Sequence, residues 1–192
     1  MGLPNWLTLL RILLIPVFVS LLVHRRPGIA LGVFCLASVT DLLDGYIARR
    51  RGSQTRLGAF LDPLADKLLL TASFVTLTYL HKNLLPFWVT AVVVSRDLLL
   101  IVGAVLVHML GGRIHPAPTR AGKLSTFFQI LVVLVVMVTL RFPAAGGALK
   151  ALVWTAIAFT VFSGLQYIVQ GMRYLSVAHA SEPEPRETNF VR

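Results

Sequence analysis

Six apolar stretches, each about as long as a bilayer core is thick, dominate this sequence and leave few folds open to it. They cover residues 6–24, 28–48, 58–80, 85–109, 121–140 and 148–172, and a membrane helix needs roughly 17–25 such residues. Backbone N–H and C=O groups find no outside partner in hydrocarbon, so segments of this kind cross as helices. The pattern predicts an all-α integral membrane bundle of six transmembrane helices. Composition points the same way: 56% of the 192 residues are hydrophobic and 14% are charged, against roughly 25% charged in soluble domains. A disordered chain, a secreted disulfide scaffold and an ordinary soluble nucleotide-binding enzyme are excluded. The single Cys35 rules out an intrachain disulfide and a cysteine-based zinc site.

The breaks between stretches carry the expected residues: Arg25-Arg26-Pro27-Gly28, Arg51-Gly52-Ser53, Gly111-Gly112 and Gly146-Gly147. The first stretch is read as a retained helix rather than a leader, because Arg11 interrupts its apolar run and no small-x-small site precedes Pro27. Residues 1–176 form one transmembrane domain without internal repeats, and the polar segment 177–192 reads as a disordered cytoplasmic tail. The net charge of +10 would suit nucleic acid, but the cations cluster between apolar stretches as in membrane loops, so no nucleic acid is expected. Ten basic residues (Arg49, Arg50, Arg51, Arg56, Arg113, Arg120, Lys123, Arg173, Arg186, Arg192) fall on one side. Five (Arg25, Arg26, Lys82, Arg141, Lys150) fall on the other. The excess places both termini in the cytoplasm, in a cytoplasmic (inner) membrane.

The acids carry the chemistry. Of eight, three glutamates lie in the tail, and the rest are Asp41, Asp44, Asp62, Asp66 and Asp97. An aspartate in hydrocarbon costs about 2.5–3.5 kcal/mol, so each needs a reason. Asp41 and Asp44 are three apart, Asp62 and Asp66 four apart, so on helices each pair shares a face. The basic loop 50–57 lets the two helices turn back on each other and bring four carboxylates together near the cytoplasmic end. Such a cluster would repel itself and take up protons. A hard divalent cation, Mg²⁺ or Mn²⁺, relieves the conflict. Magnesium binds through a few carboxylates plus substrate phosphate oxygens, which suggests a phosphorylated substrate. Gly45, Ala48 and Gly58 leave room on that face, and Arg49–Arg51 can neutralise phosphate or lipid headgroups.

The pattern Asp41-x2-Asp44-Gly45-x2-Ala48-Arg49-x8-Gly58-x3-Asp62-x3-Asp66 is complete, and it resembles the signature of the CDP-alcohol phosphatidyltransferases. Pro4-Asn5-Trp6-Leu7-Thr8 with Arg11 resembles the start of the branch that makes phosphatidylglycerophosphate. Leu61-Asp62-Pro63-Leu64-Ala65-Asp66-Lys67 resembles both that branch and the related cardiolipin synthases. The resemblance implies two divalent ions held by Asp41, Asp44 and Asp62, with Asp66 sharing the metals and acting as the base. It implies a cytidine pocket at Gly45, Ala48 and Gly58, with Asp41 on the CDP group and Arg49 near the nucleotide. CDP-diacylglycerol would be the donor, the active site would face the cytoplasm, and the protein would be a homodimer among membrane lipids.

For the acceptor, Arg96, Arg113, Arg120 and Lys123 are the candidate ligands of a second phosphate. Glycerol 3-phosphate is the first reading, with phosphatidylglycerol, the cardiolipin synthase acceptor, as the alternative. Ser95-Arg96-Asp97 departs from the Arg-Glu usual in the glycerophosphate branch, and Leu124-Ser125 stands where that branch adds a basic residue.

Each residue also has a plainer role. Four aspartates at this spacing are hard to explain as caps or ion pairs, although Asp41 alone is not. Arg50 and Arg51 read as headgroup anchors, Arg96–Asp97 as a structural ion pair, and Lys67 as a partner of a nearby aspartate. Trp6, Trp88, Trp154 and Tyr79 read as interface anchors, and the five scattered histidines take no role. A metal-ion transporter is the rival from another class, but it would show repeats and acids near mid-span in both halves. A non-catalytic binder on the same fold is the other rival, and an intact Asp66 argues against it.

Overall fold

The computed structural model describes the backbone of residues 3–51, 56–109 and 119–180. Side chains are described for residues 9–40, 65–103, 105, 119–143 and 147–172. Among these residues the chain is all-helical and has no strand. Its helices are α1 (Leu3–Val23), α2 (Pro27–Arg51), α3 (Arg56–Leu80), α4 (Phe87–Met109), α5 (Arg120–Arg141) and α6 (Leu149–Ala180), with a short 3-10 helix at Pro143–Ala148 before α6. Each apolar stretch of the sequence falls on one helix. The largest difference is at α6, which runs to Ala180 and so takes in the first residues of the segment read as tail.

Two segments, Arg120–Arg141 and Leu149–Met172, are long and apolar enough to cross a membrane by themselves among the described residues. Leu9–Val23 and Pro27–Thr40 are shorter apolar runs. At about 1.5 Å per residue, α5 with its 22 residues spans about 33 Å, close to the thickness of a hydrocarbon core.

Side-chain bonds fix how the helices run. Lys67 pairs with Asp97 and Thr78 bonds Thr90, so α3 and α4 are antiparallel with a steady register. Ser125 bonds Thr160 and the rings of Phe128 and Phe159 stack at 5.1 Å, so α5 and α6 are antiparallel as well. Arg96 reaches Ser163, and the rings of Trp88 and Trp154 meet at 5.3 Å, so α4 and α6 run parallel. The turn after α1 is a Schellman cap: Arg25 N–H donates to Leu22 O at 3.0 Å and Arg26 N–H to Leu21 O at 2.9 Å. It puts Arg25 at a φ of 55°, and Pro27 then opens α2 at the position where a missing N–H costs nothing.

Charged and polar side chains are buried alongside an apolar core, while many large apolar side chains face outwards. Arg11, Arg96, Asp97, Gln129, Thr160 and Ser163 are buried, whereas Leu13, Val17, Leu98, Val102, Phe162 and Leu165 are exposed. Large apolar side chains exposed on α1, α4 and α6 alike are a liability in water. The apolar core lies towards the end where α1, α3 and α5 finish, around Phe18, Phe34, Phe74, Leu77, Val89 and Val136. The buried charges lie towards the other end.

Candidate active site

The two halves of the aspartate motif fall on consecutive helices. Asp41 to Arg49 lie in the C-terminal half of α2, and Gly58 to Asp66 in the first part of α3. The helical backbone therefore puts Asp41 with Asp44, and Asp62 with Asp66, on shared faces. The side chains of Asp41, Asp44, Asp62, Ala48 and Arg49 lie outside the described residues, as do Gly45 and Gly58 as lining positions. Asp66 is described and is half-buried. Among the described residues no three His, Cys, Asp or Glu side chains form a cluster. The donor set of the motif, four carboxylates in two helical pairs, nonetheless suits a hard divalent ion.

Directly after Asp66, Lys67 reaches across to α4. Its Nζ donates to Asp97 Oδ1 at 2.8 Å, and Arg96 Nη1 donates to the same oxygen at 2.8 Å. Arg96 and Asp97 are 6% and 5% exposed, so this carboxylate is shared by two cations largely out of solvent. Arg96 Nη2 donates to Ser163 Oγ on α6 at 2.9 Å. The guanidinium packs closely on Gly122: a Cβ there would stand 3.2 Å from Arg96 Nη2, 3.2 Å from Thr119 Oγ1 and 3.4 Å from Ser163 Oγ, so these side chains would have to give way slightly. Thr119 caps α5 by accepting from Gly122 N–H at 3.0 Å. One polar layer thus ties α3, α4, α5 and α6 together beside Asp66.

A second layer lies one turn deeper between α5 and α6. Gln129 Nε2 donates to Ser125 Oγ at 3.2 Å and to Thr160 Oγ1 at 3.1 Å, and all three residues are fully buried. In a bilayer, where lipid tails compete equally for apolar side chains, helix association rests on such bonds and on close packing. Each bond contributes on average about 0.6 kcal/mol.

The four candidate acceptor ligands are not equivalent. Arg96 is buried and engaged by Asp97 and Ser163. Arg120 and Lys123 are exposed on the first turn of α5, where the helix dipole adds positive potential. Arg113 lies outside the described residues. Ser163 and Thr160 were not singled out by the sequence. The signal available for them was their spacing of three, which puts the two hydroxyls on the same face of α6.

The sequence profile described as CDP-alcohol phosphatidyltransferase matches residues 1–162. A CDP-diacylglycerol–glycerol-3-phosphate 3-phosphatidyltransferase of Bacillus subtilis is 35% identical over 201 residues, covering 93% of this chain and 99% of that protein. A probable phosphatidylglycerophosphate synthase of Mycobacterium tuberculosis is 35% identical over 178 residues, covering 90% and 82%. A CMP-forming cardiolipin synthase of Homo sapiens is 36% identical over 191 residues, which is 91% of this chain. The chain spans only 63% of the length of that human protein.

Proposed function

The chain belongs to the CDP-alcohol phosphatidyltransferase family, and on that footing we propose that it transfers the phosphatidyl group of CDP-diacylglycerol to glycerol 3-phosphate. The products are phosphatidylglycerophosphate and CMP. The observation that carries this is the complete aspartate motif on two consecutive helices, with Asp66 half-buried next to the polar layer. The matched bacterial relatives support the acceptor, since the likeness to the Bacillus protein extends over 99% of its length.

In this reading six helices cross the cytoplasmic membrane, both termini and the active site face the cytoplasm, and two copies form a homodimer. Residues 1–176 are the catalytic domain and 177–192 a cytoplasmic tail. Asp41, Asp44, Asp62 and Asp66 hold Mg²⁺ or Mn²⁺. The two ions, when bound, neutralise the diphosphate and stabilise the charge that develops on the attacking and leaving oxygens. Asp41, Gly45, Ala48, Arg49 and Gly58 receive the CDP group. The acceptor hydroxyl oxygen bonds to the β-phosphorus as the bond from that phosphorus to the CMP oxygen breaks, and the hydroxyl proton passes to the Asp66 carboxylate. Arg120, Lys123 and Arg113 meet the acceptor phosphate, while Arg96 supports that pocket from behind.

Phosphatidylglycerol as acceptor is the second reading, favoured by the Arg96–Asp97 pair and by the likeness to the human cardiolipin synthase. The deciding experiment is CMP release by purified protein given CDP-diacylglycerol and Mg²⁺ or Mn²⁺, with each acceptor in a separate reaction and the lipids identified by mass. Phosphatidylglycerophosphate supports the first reading, and cardiolipin replaces it with the second. Asp66→Asn is expected to abolish turnover while the protein stays folded. Near wild-type CMP release from that variant would remove Asp66 as the base.

A further inference from the structure

At the end of the bundle away from the aspartates, α4 and α6 begin side by side and leave a groove of about 280 Å³ between them. Trp88 and Trp154 form its rim, tilted at 41° to each other and both exposed. Leu149 and Val153 are buried beneath, and Lys150 and Asn83 line the mouth. We propose that this groove binds an anionic phospholipid, its phosphate on Lys150 and its acyl chain along Val153 and the tryptophan rings.

The argument is one of charge. Arg25, Arg26, Lys82, Arg141 and Lys150 all lie at or next to the helix ends on this side. The sequence has no acid between Asp66 and Asp97, and none between Asp97 and Glu182. Asp97 lies ten residues into α4, about 15 Å along the axis, and is held by Lys67 and Arg96. Among the described residues no acid therefore stands at this end, and the counter-charge falls to the lipid. A zwitterionic headgroup brings its own ammonium to the phosphate and gives Lys150 less. Trp88 and Trp154 are amphipathic rings suited to the headgroup boundary, and Lys150 reaches from there to a phosphate. Arg141 is exposed, 5.7 Å from the Phe142 ring, and adds its charge to the same end. The inference rests on the bundle spanning a bilayer, not on the reaction proposed above.

Tryptophan fluorescence tests it in the full chain. Trp6→Phe leaves Trp88 and Trp154 as the reporters. The protein is placed in phosphatidylcholine vesicles in which a small fraction of lipid is brominated, either as phosphatidylglycerol or as phosphatidylcholine. Brominated phosphatidylglycerol should quench several-fold more at equal mole fraction. Lys150→Ala should erase that difference, Lys150→Arg should keep it, and CMP release should be unchanged in both. Equal quenching by the two lipids, or a preference that survives Lys150→Ala, would overturn the proposal. So would relief of the quenching by millimolar inorganic phosphate, since the site would then take a free anion.

Discussion

Removing the carboxylate of Asp97 should be among the most damaging single changes outside the aspartate motif. Its Oδ1 accepts from both Lys67 and Arg96 at 2.8 Å. In Asp97→Ala the Arg96 guanidinium, 6% exposed, loses its only acid partner among the described residues. Removing one member of a buried pair costs about 3–5 kcal/mol, because the other charge is left uncompensated. Lys67, with 23% of its side chain exposed, can turn its ammonium towards solvent, which favours the lower end of that range. The expected loss is therefore about 3 kcal/mol. Arg96→Met alone leaves Asp97 paired with Lys67 and forfeits the Ser163 bond, for about 1 kcal/mol. The double variant has no orphaned arginine, so its loss should be smaller than the sum by about 2 kcal/mol. Reversible unfolding by SDS in mixed micelles measures all three. Strict additivity would show that the two side chains do not share one electrostatic unit and would refute the reasoning.

Lys123→Ala should raise KM for glycerol 3-phosphate by about tenfold or more, since a charge-assisted hydrogen bond is worth about 1.5–3 kcal/mol. An unchanged KM in the CMP-release assay removes Lys123 from the acceptor pocket. Arg25 holds a φ of 55°, so Arg25→Gly should be more stable than Arg25→Ala by about 1 kcal/mol in the same micelle titration. Equal stabilities would mean the turn relaxes without the left-handed residue. His81 has its pKa lowered below 6.5, first by burial and then by the charge of Arg25. Its folded state favours the neutral ring, so its contribution is intact above 6.5 and is lost as pH falls through the lower folded pKa. His81→Gln should flatten that acid-side loss, and an unaltered pH profile of stability would count against it.

The helices were legible because hydropathy and length are local properties, and the aspartate motif because its members lie within a few turns on helices joined by one loop. What the sequence left open was the rotation of each helix about its axis. In a soluble helix an apolar stripe marks the inward face, but here both faces are apolar and the stripe carries no such information. Leu98 and Val102 on α4 are as hydrophobic as Val89 and Val93, yet the first two face outwards and the other two are buried. The inward face is marked instead by the few polar side chains: Arg96 and Asp97 on α4, Ser125 and Gln129 on α5, Thr160 and Ser163 on α6. Their partners on other helices stand 30 to 67 residues away in the chain, from Lys67 with Asp97 to Arg96 with Ser163, so neither spacing nor periodicity announces them. Gly122 follows the same logic, for its role depends on the arginine that packs against it from another helix. Read along the chain, the aspartates pair with one another and Arg96 with Asp97, but Thr160 and Ser163 find no partner. Matched across helices by depth, with α5 and α6 antiparallel, these polar residues specify the bundle that holds Asp66 in place.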